Sequence, residues 1–471
     1  MPKEKEIKYI TKEINFIITL EKPKQFTIES ENNLNGKKAR LRKQAPNKYS
    51  LHVKSDLDFD LILGSSINIK LSNQELNLNV ERASVKGLAG SFSASKYFFS
   101  CEIKIYSFQS KNLSLDNLYY CKQIIPIREN THFFYKIDDF TYSSDKSTFS
   151  RGLLKIQLAG ENKFEAYITK VEEKDYLIIE SRQKLTPENF KSFTWPIIIS
   201  LSYFMGYLMQ DECYFFYYEQ KDTNTFNSFE YKQLRDSIRT SYTPINSNPY
   251  GWDLNNSIAK DYEGKLTNIS QKQFSELCKR TYSDIEIEGI ILLILESSSR
   301  SLVLMPAGLS VALESLTQYF SDKHPEILRP IPEKQVSDSF KTELREVLLS
   351  YKDKIKSQGL EILKNKINDI NNPTNSEKLK APFKIFNVAL TEIDEKVLSH
   401  RNDFLHGNIT LKGKKGKEYS MESFEISLRL ITLLNIIILK MIGYEGYILN
   451  HAKLQEKGIG KIIDEEPFRK I

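Results

Sequence analysis

Short runs in which apolar and polar positions alternate fill the first part of the chain, from residue 7 to about 182. Tyr97–Tyr106 alternates bulky apolar with polar side chains, the period of a half-buried strand. Leu153–Leu158, Phe164–Val171 and Tyr176–Glu180 are three further runs, separated by Gly160-Glu161-Asn162 and Glu172-Glu173-Lys174. Ile14–Leu20 is rich in β-branched and aromatic residues and is expected as a strand. Asn35-Gly36 signals a tight turn, with Lys37–Lys43 following it. Strands of this length and spacing predict an antiparallel sandwich or barrel-like domain.

The rhythm changes near Thr186. Thr186-Pro187-Glu188 places a hydroxyl cap, then proline, then an acid at a helix start, and the helix is expected to run to about Gln210. Cys213–Tyr218 reads as another strand. Asp222–Gly264 is polar and carries Asn-Pro and Gly-Trp turns. From Ser270 onward, apolar residues recur every three or four positions: Ser283–Glu296, Leu309–Phe320, Ser339–Tyr351, Phe383–Leu398 and Phe424–Ile442 are expected helices. His324–Pro332 and Asn371–Asn375 break them. The expected fold class is α+β: a β-rich N-terminal domain over 1–222, a connection over 223–268, and an all-α helical bundle over 269–471.

Composition narrows the function classes. Hydrophobic residues make up 40% of the 471, and charged residues 27%, which suffices for buried cores in more than one domain. The formal charge of +6 permits a polyanionic partner without requiring one. The cysteines Cys101, Cys121, Cys213 and Cys278 form no C-x-x-C pair, so they offer no zinc site, and no metal or cofactor is expected. Walker-type, H-E-x-x-H and G-x-S-x-G patterns do not occur. The charged N-terminus lacks a signal-peptide core, and the apolar stretches Pro196–Met209 and Ile426–Ile442 are too short or too interrupted to cross a bilayer. A cytoplasmic protein with reduced thiols and no membrane contact is therefore expected.

One constellation carries chemistry. Arg401-Asn402-Asp403-Phe404-Leu405-His406-Gly407 lies between two long amphipathic stretches near the C-terminus. Histidine titrates near neutral pH and serves as general acid or base. Arginine presents a fixed cationic fork to phosphate oxygens. RNA supplies its own nucleophile, the 2′-hydroxyl, so these residue types suit cleavage that needs no metal and leaves a 2′,3′-cyclic phosphate and a 5′-hydroxyl. Asn402 is a candidate orienting or phosphate-binding amide, and equally a helix cap. Residues five apart on an unbroken helix diverge by about 140°. Either the helix ends between Arg401 and His406, or residues of a second copy complete the site.

Leu411–Lys417 holds Lys412, Lys414, Lys415 and Lys417 with two glycines, a basic loop placed to hold an RNA backbone or simply a solvated connection. Lys37, Lys38, Arg40, Arg42 and Lys43 read as the exposed face of a strand. Glu314 could orient Arg401 or lie on a polar helix face, and His400 is assigned no role.

The Arg401–Gly407 pattern resembles the Arg-x(4–6)-His signature of HEPN (higher eukaryote and prokaryote nucleotide-binding) ribonucleases, and within them the ApeA-like family of anti-phage defence. There a polar residue follows the arginine and a glycine often follows the histidine. The resemblance covers roughly residues 270–445. It implies a homodimer through the helical domain, a composite RNA-cleaving cleft, an abortive-infection role with tRNA as substrate, and an N-terminal domain that senses a phage protein. A HEPN-like bundle that binds nucleotides or partners without cutting is the alternative.

Overall fold

The structure, a computed structural model, describes residues 4–405 and 417–471, apart from 32, 46, 57–60, 94–95, 128–139, 145–146, 152–153, 159, 161, 210, 222–224, 235–260, 263, 268 and 299–303. For 4–10, 91–98, 140–151, 357, 400–405 and 417–420 it gives backbone alone. The protein is α+β, a β-rich N-terminal region followed by a helical C-terminal region. It forms two compact units, one of Met1–Arg239 with Asn268–Ser283, the other of Thr240–Thr267 with Asp284–Ile471.

In the first unit, helix α1 (Glu4–Glu21) precedes strands β1 (Lys24–Glu29), β2 (Lys38–Ala45), β3 (Lys48–Ser55), β4 (Ser66–Ser72), β5 (Asn77–Ser93) and β6 (Lys96–Ser110). These strands close into an antiparallel barrel in the order β1–β2–β3–β6–β5–β4, with β4 returning to β1. Alternation drives the closure. On β2, Ala39 and Leu41 point inward while Lys38, Arg40 and Arg42 stay in solvent. Ring closure leaves these strands without open edges over most of their length.

Strand β6 has a second task. Beyond its pairing with β3, Ser107–Gln109 pair with a strand of an open sheet that continues the barrel. That sheet comprises β7 (Tyr120–Ile127), β10 (Leu154–Gln157), β11 (Lys163–Val171), β12 (Lys174–Ser181), β13 (Glu212–Tyr218) and β14 (Ser228–Gln233), in the order β10–β11–β12–β7–β13–β14. A separate ribbon pairs β8 (Phe140–Ser144) with β9 (Ser147–Arg151). One face of the open sheet, including Ile124, Ile178, Tyr214, Phe216 and Phe229, shares a continuous core with the barrel interior and with Ile14, Ile17 and Leu20 of α1. The other face packs on α2 (Pro187–Met205), where Phe190 meets Phe164 and Phe215. Helix α3 (Gln271–Ser283) packs on α2 and β10.

Several expectations are corrected here. Ile14–Leu20 is not a strand but the last turns of α1: Ile14, Ile17 and Leu20 are buried while Asn15 and Thr19 are exposed, a helical spacing that outweighs the β-branched composition. The helix capped by Thr186 stops at Met205 rather than Gln210, because Gly206 takes a left-handed φ of 74° and its N–H returns to Ser202. The polar stretch expected as a connection contains β14, whose Phe229 and Tyr231 are buried. The chain from Asn268 to Ser283, including α3, belongs to the first unit.

The second unit contains α4 (Ile285–Ser298), α5 (Leu304–Lys323), α6 (Pro325–Leu328), α7 (Lys334–Ser350), a 3-10 turn at Lys352–Lys354, α8 (Ser357–Asn368), α9 (Asn375–Ile385), α10 (Glu392–Leu405), α11 (Lys417–Met441), β15 (Tyr447–Leu449), α12 (His451–Leu454), α13 (Glu456–Ile459) and β16 (Phe468–Lys470). Helix α5 is the hub, packing against α4, α9, α10 and α11. Helix α11 is buried nearly all round from Phe424 to Met441, as expected of a central helix. The β15–β16 ribbon is backed by Tyr262, which meets Tyr447 and Phe468 and donates to Glu466 at 2.5 Å.

The single helix expected over Phe383–Leu398 is two. Asn387 adopts a positive φ of 53°, and the N–H of Val388 reaches back to the carbonyl of Phe383 at 2.8 Å, a left-handed stop that ends α9. Thr391 then starts α10: the Asp394 N–H donates to the Thr391 hydroxyl at 3.1 Å, and the Thr391 N–H donates to the Asp394 carboxylate at 2.8 Å.

Candidate functional site

Helix α10 carries Arg401 and Asn402 of the motif and is fixed at its start and along its inner side. Asp394 is buried, caps the first turn, and accepts from Arg469 of β16 at 2.8 Å. Arg469 also donates to the carbonyl of Ala389 at 2.9 Å, so one guanidinium ties the C-terminal ribbon to the entry of α10. Val397 and Leu398 are buried, and the helix packs against α5 and α11. The acids Glu392, Asp394 and Glu395 lie in its first turn, where the helix dipole favours them.

Arg401 and Asn402 belong to the last turns of α10, inside the helix rather than after it. His406, Gly407, Lys412, Lys414 and Lys415 lie outside the described residues, in the chain that links α10 to α11. Lys417 is the first residue of α11, and His400 lies within α10. Because α10 and α11 pack together, the motif and its basic loop join two helices that touch. Glu314 stands on the exposed side of α5.

Two polar clusters in the second unit escaped sequence reasoning. Arg429 of α11 is held by Glu425 at 3.1 Å and Glu465 at 2.8 Å, and Glu425 also takes Lys461 at 2.5 Å. Deeper, Asn435 lies 3.4 Å from Nε2 of His451, whose backbone N–H donates to the Thr432 hydroxyl at 3.3 Å. Burial drives the His451 pKa down to about 4, so its imidazole is neutral at physiological pH. The apolar reach of α11 in sequence concealed both, since His451 lies 16 residues beyond Asn435 and Glu465 lies well past the helix end.

The first unit also buries charge. Lys43 of β2 was expected on an exposed strand face with Lys37, Lys38, Arg40 and Arg42, but its ammonium turns inward to Glu21 at 2.6 Å and Glu212 at 2.7 Å, over the rings of Tyr49 and Tyr214. Burial raises the Glu212 pKa, with Lys43 opposing. On the same face of the open sheet Lys122 pairs with Glu13, and on the other face Lys191 pairs with Glu230 at 2.5 Å. Each lysine is matched to a carboxylate, so these networks read as supports of the sheet.

All four cysteines are buried as free thiols, and burial raises the pKa of each. Among the described residues no cluster of three or more His, Cys, Asp or Glu side chains is placed to hold a metal, and no helix is long and apolar enough to cross a membrane. No family model, curated protein or solved structure matches the chain.

Proposed function

We propose that the chain is a metal-independent endoribonuclease whose active groups are Arg401, Asn402 and His406, with Lys412, Lys414, Lys415 and Lys417 gripping the RNA backbone. The observation that carries this reading is the seating of Arg401 and Asn402 on a helix anchored by Val397, Leu398 and the Asp394–Arg469 bridge. A catalytic cation needs such a rigid element, because small displacements cost large factors in rate.

The chemistry follows from the residue types. A base takes the proton of the ribose 2′-hydroxyl, and its oxygen attacks the adjacent phosphorus. The bond from phosphorus to the 5′ oxygen breaks, and an acid protonates the departing oxygen. His406 fills one proton role, Arg401 balances the charge that builds on the phosphoryl oxygens, and Asn402 orients the phosphate. Each chain supplies one motif histidine, so a homodimer joining two motifs in one cleft would supply both proton carriers. By resemblance to the ApeA-like HEPN family, the substrate is tRNA, the β-rich unit senses a phage protein, and cleavage serves abortive infection.

The test incubates purified wild type, Arg401→Ala and His406→Ala with tRNA in EDTA and analyses the fragment ends. Cyclic phosphate and 5′-hydroxyl ends from wild type alone support the reading. Equal cleavage by His406→Ala would remove it and favour a HEPN-like bundle that binds without cutting.

A further inference from the structure

The outer wall of the barrel concentrates cations on four neighbouring strands. Lys38, Arg40 and Arg42 project from β2, Lys54 from β3, Lys104 from β6 and Arg82 from β5. The register brings them together. Arg42 lies opposite Ser50, which lies opposite Lys104, and Lys104 lies opposite Ser84 of β5. Lys38 and Lys54 flank the Ala39–Val53 pair. Neighbouring strands are about 4.8 Å apart and alternate residues along a strand about 6.8 Å apart, so the cations form a close two-dimensional array.

Like charges that meet across strands destabilise a sheet, as Lys38 and Lys54 do beside the Ala39–Val53 pair, so the array is not what barrel stability alone would select. The carboxylates on these four strands are Glu81, exposed beside Arg82 on β5, and Glu102, already engaged by Lys86 at 3.3 Å and Gln44 at 2.6 Å. Several cations are held in place. The guanidinium of Arg82 and the ammonium of Lys104 lie 5.2 and 4.5 Å from the ring centre of Tyr106, whose hydroxyl is 3.2 Å from that of Ser84. Arg42 donates from Nε to Nε2 of His52 at 3.0 Å. Side chains fixed in this way lose less freedom when they meet a ligand.

The shape selects the ligand. A barrel wall is convex, so a flat anionic bilayer touches it only along a narrow line. Duplex nucleic acid is stiff over about 150 base pairs and cannot follow so tight a curve cheaply. A single strand bends freely and places a phosphate charge at every nucleotide. We propose that the β2–β3–β6–β5 wall of the barrel is a binding surface for single-stranded nucleic acid. It belongs to the first unit and the Arg401 motif to the second, and it stands without the cleavage chemistry.

The experiment uses the full chain carrying His406→Ala, in EDTA, with a fluorescent 20-nucleotide single-stranded RNA of mixed sequence, its duplex, and vesicles of phosphatidylglycerol and phosphatidylcholine. Single-stranded RNA should bind more tightly than the duplex. Arg40→Gln, Arg42→Gln and Lys104→Gln together should weaken binding at least tenfold and reduce the slope of log affinity against log salt by about 2, at about 0.7 per lost phosphate contact. Tyr106→Phe should keep the affinity and Tyr106→Ala should lower it several-fold, with unchanged thermal unfolding showing that the barrel is intact. Unchanged affinity and slope in the triple variant overturn the proposal, as does tighter binding of the duplex, or capture by vesicles without RNA binding. Loss of cleavage by His406→Ala with RNA binding retained leaves this surface standing, so its failure and that of the nuclease reading are told apart.

Discussion

The ammonium of Lys122 lies 2.9 Å from Oε1 of Glu13, and both side chains are 2% exposed. The pair joins α1 to the central strand β7, and the Tyr218 hydroxyl donates to the same carboxylate oxygen. Glu180 adds a second carboxylate 3.3 Å from Lys122. Removing only one partner leaves an uncompensated buried charge. Lys122→Met should therefore destabilise the first unit by about 3–5 kcal/mol. Glu13→Leu combined with Lys122→Met should recover part of that loss, read as the urea midpoint of each variant. A double variant no more stable than Lys122→Met alone would show that the charge pair is not the source of the cost.

Gly308 of α5 packs against Ser297 of α4. A Cβ at that position would lie 2.1 Å from the Ser297 hydroxyl oxygen and 3.0 Å from its Cβ. Gly308→Ala should cost about 1–3 kcal/mol through forced separation of the helices. Adding Ser297→Ala removes the nearer clash and should restore part of the stability, leaving the 3.0 Å contact. Thermal unfolding of the two variants checks the order.

His451 gives the second unit a pH dependence. Its folded pKa of about 4 lies below the usual 6.5, because burial disfavours the cation. Between those values the unfolded chain takes up a proton that the folded chain refuses. The contribution is therefore fully present above pH 6.5 and is lost as pH falls toward 4, amounting to about 3 kcal/mol. His451→Gln should flatten the fall of the unfolding midpoint between pH 6.5 and 4. An identical pH profile in the variant would contradict this assignment.

Catalysis and grip should separate in the proposed nuclease site. His406→Ala should lower the cleavage rate by about 10²–10⁴ while RNA affinity stays near that of wild type. Neutralising Lys412, Lys414, Lys415 and Lys417 should weaken binding and flatten its salt dependence. Single-turnover cleavage beside equilibrium binding reads both quantities. A loop variant with wild-type salt dependence would remove those lysines from RNA contact.

Patterns that satisfy themselves locally were legible in the sequence. The strands at Leu154–Gln157, Lys163–Val171 and Lys174–Ser181 follow each other directly, and their apolar runs with the polar residues between them located them. The Thr186 cap, the Cys213–Tyr218 strand and the long buried helix ending at Met441 were read in the same way. Features set by distant partners were not. Barrel closure depends on β1 meeting β4 and β3 meeting β6, pairings that no turn signal encodes. Lys43 looked like one more exposed cation because its partners Glu21 and Glu212 are 22 and 169 residues away. The Asn387 stop was hidden because asparagine entering the left-handed region leaves the apolar spacing of Phe383–Leu398 unbroken. The chemical motif was legible as residue types and spacing. Its seating on α10 required the Arg469 bridge from the far C-terminal ribbon.

Strand β6 belongs at once to the barrel and, through Ser107–Gln109, to the open sheet. A recombinant fragment ending at residue 110 would strip β14 from that rung and bare Phe108, which in the intact chain stacks on Tyr231. The two halves of the first unit are thus welded at one seam, and neither can be excised for separate study without tearing the other.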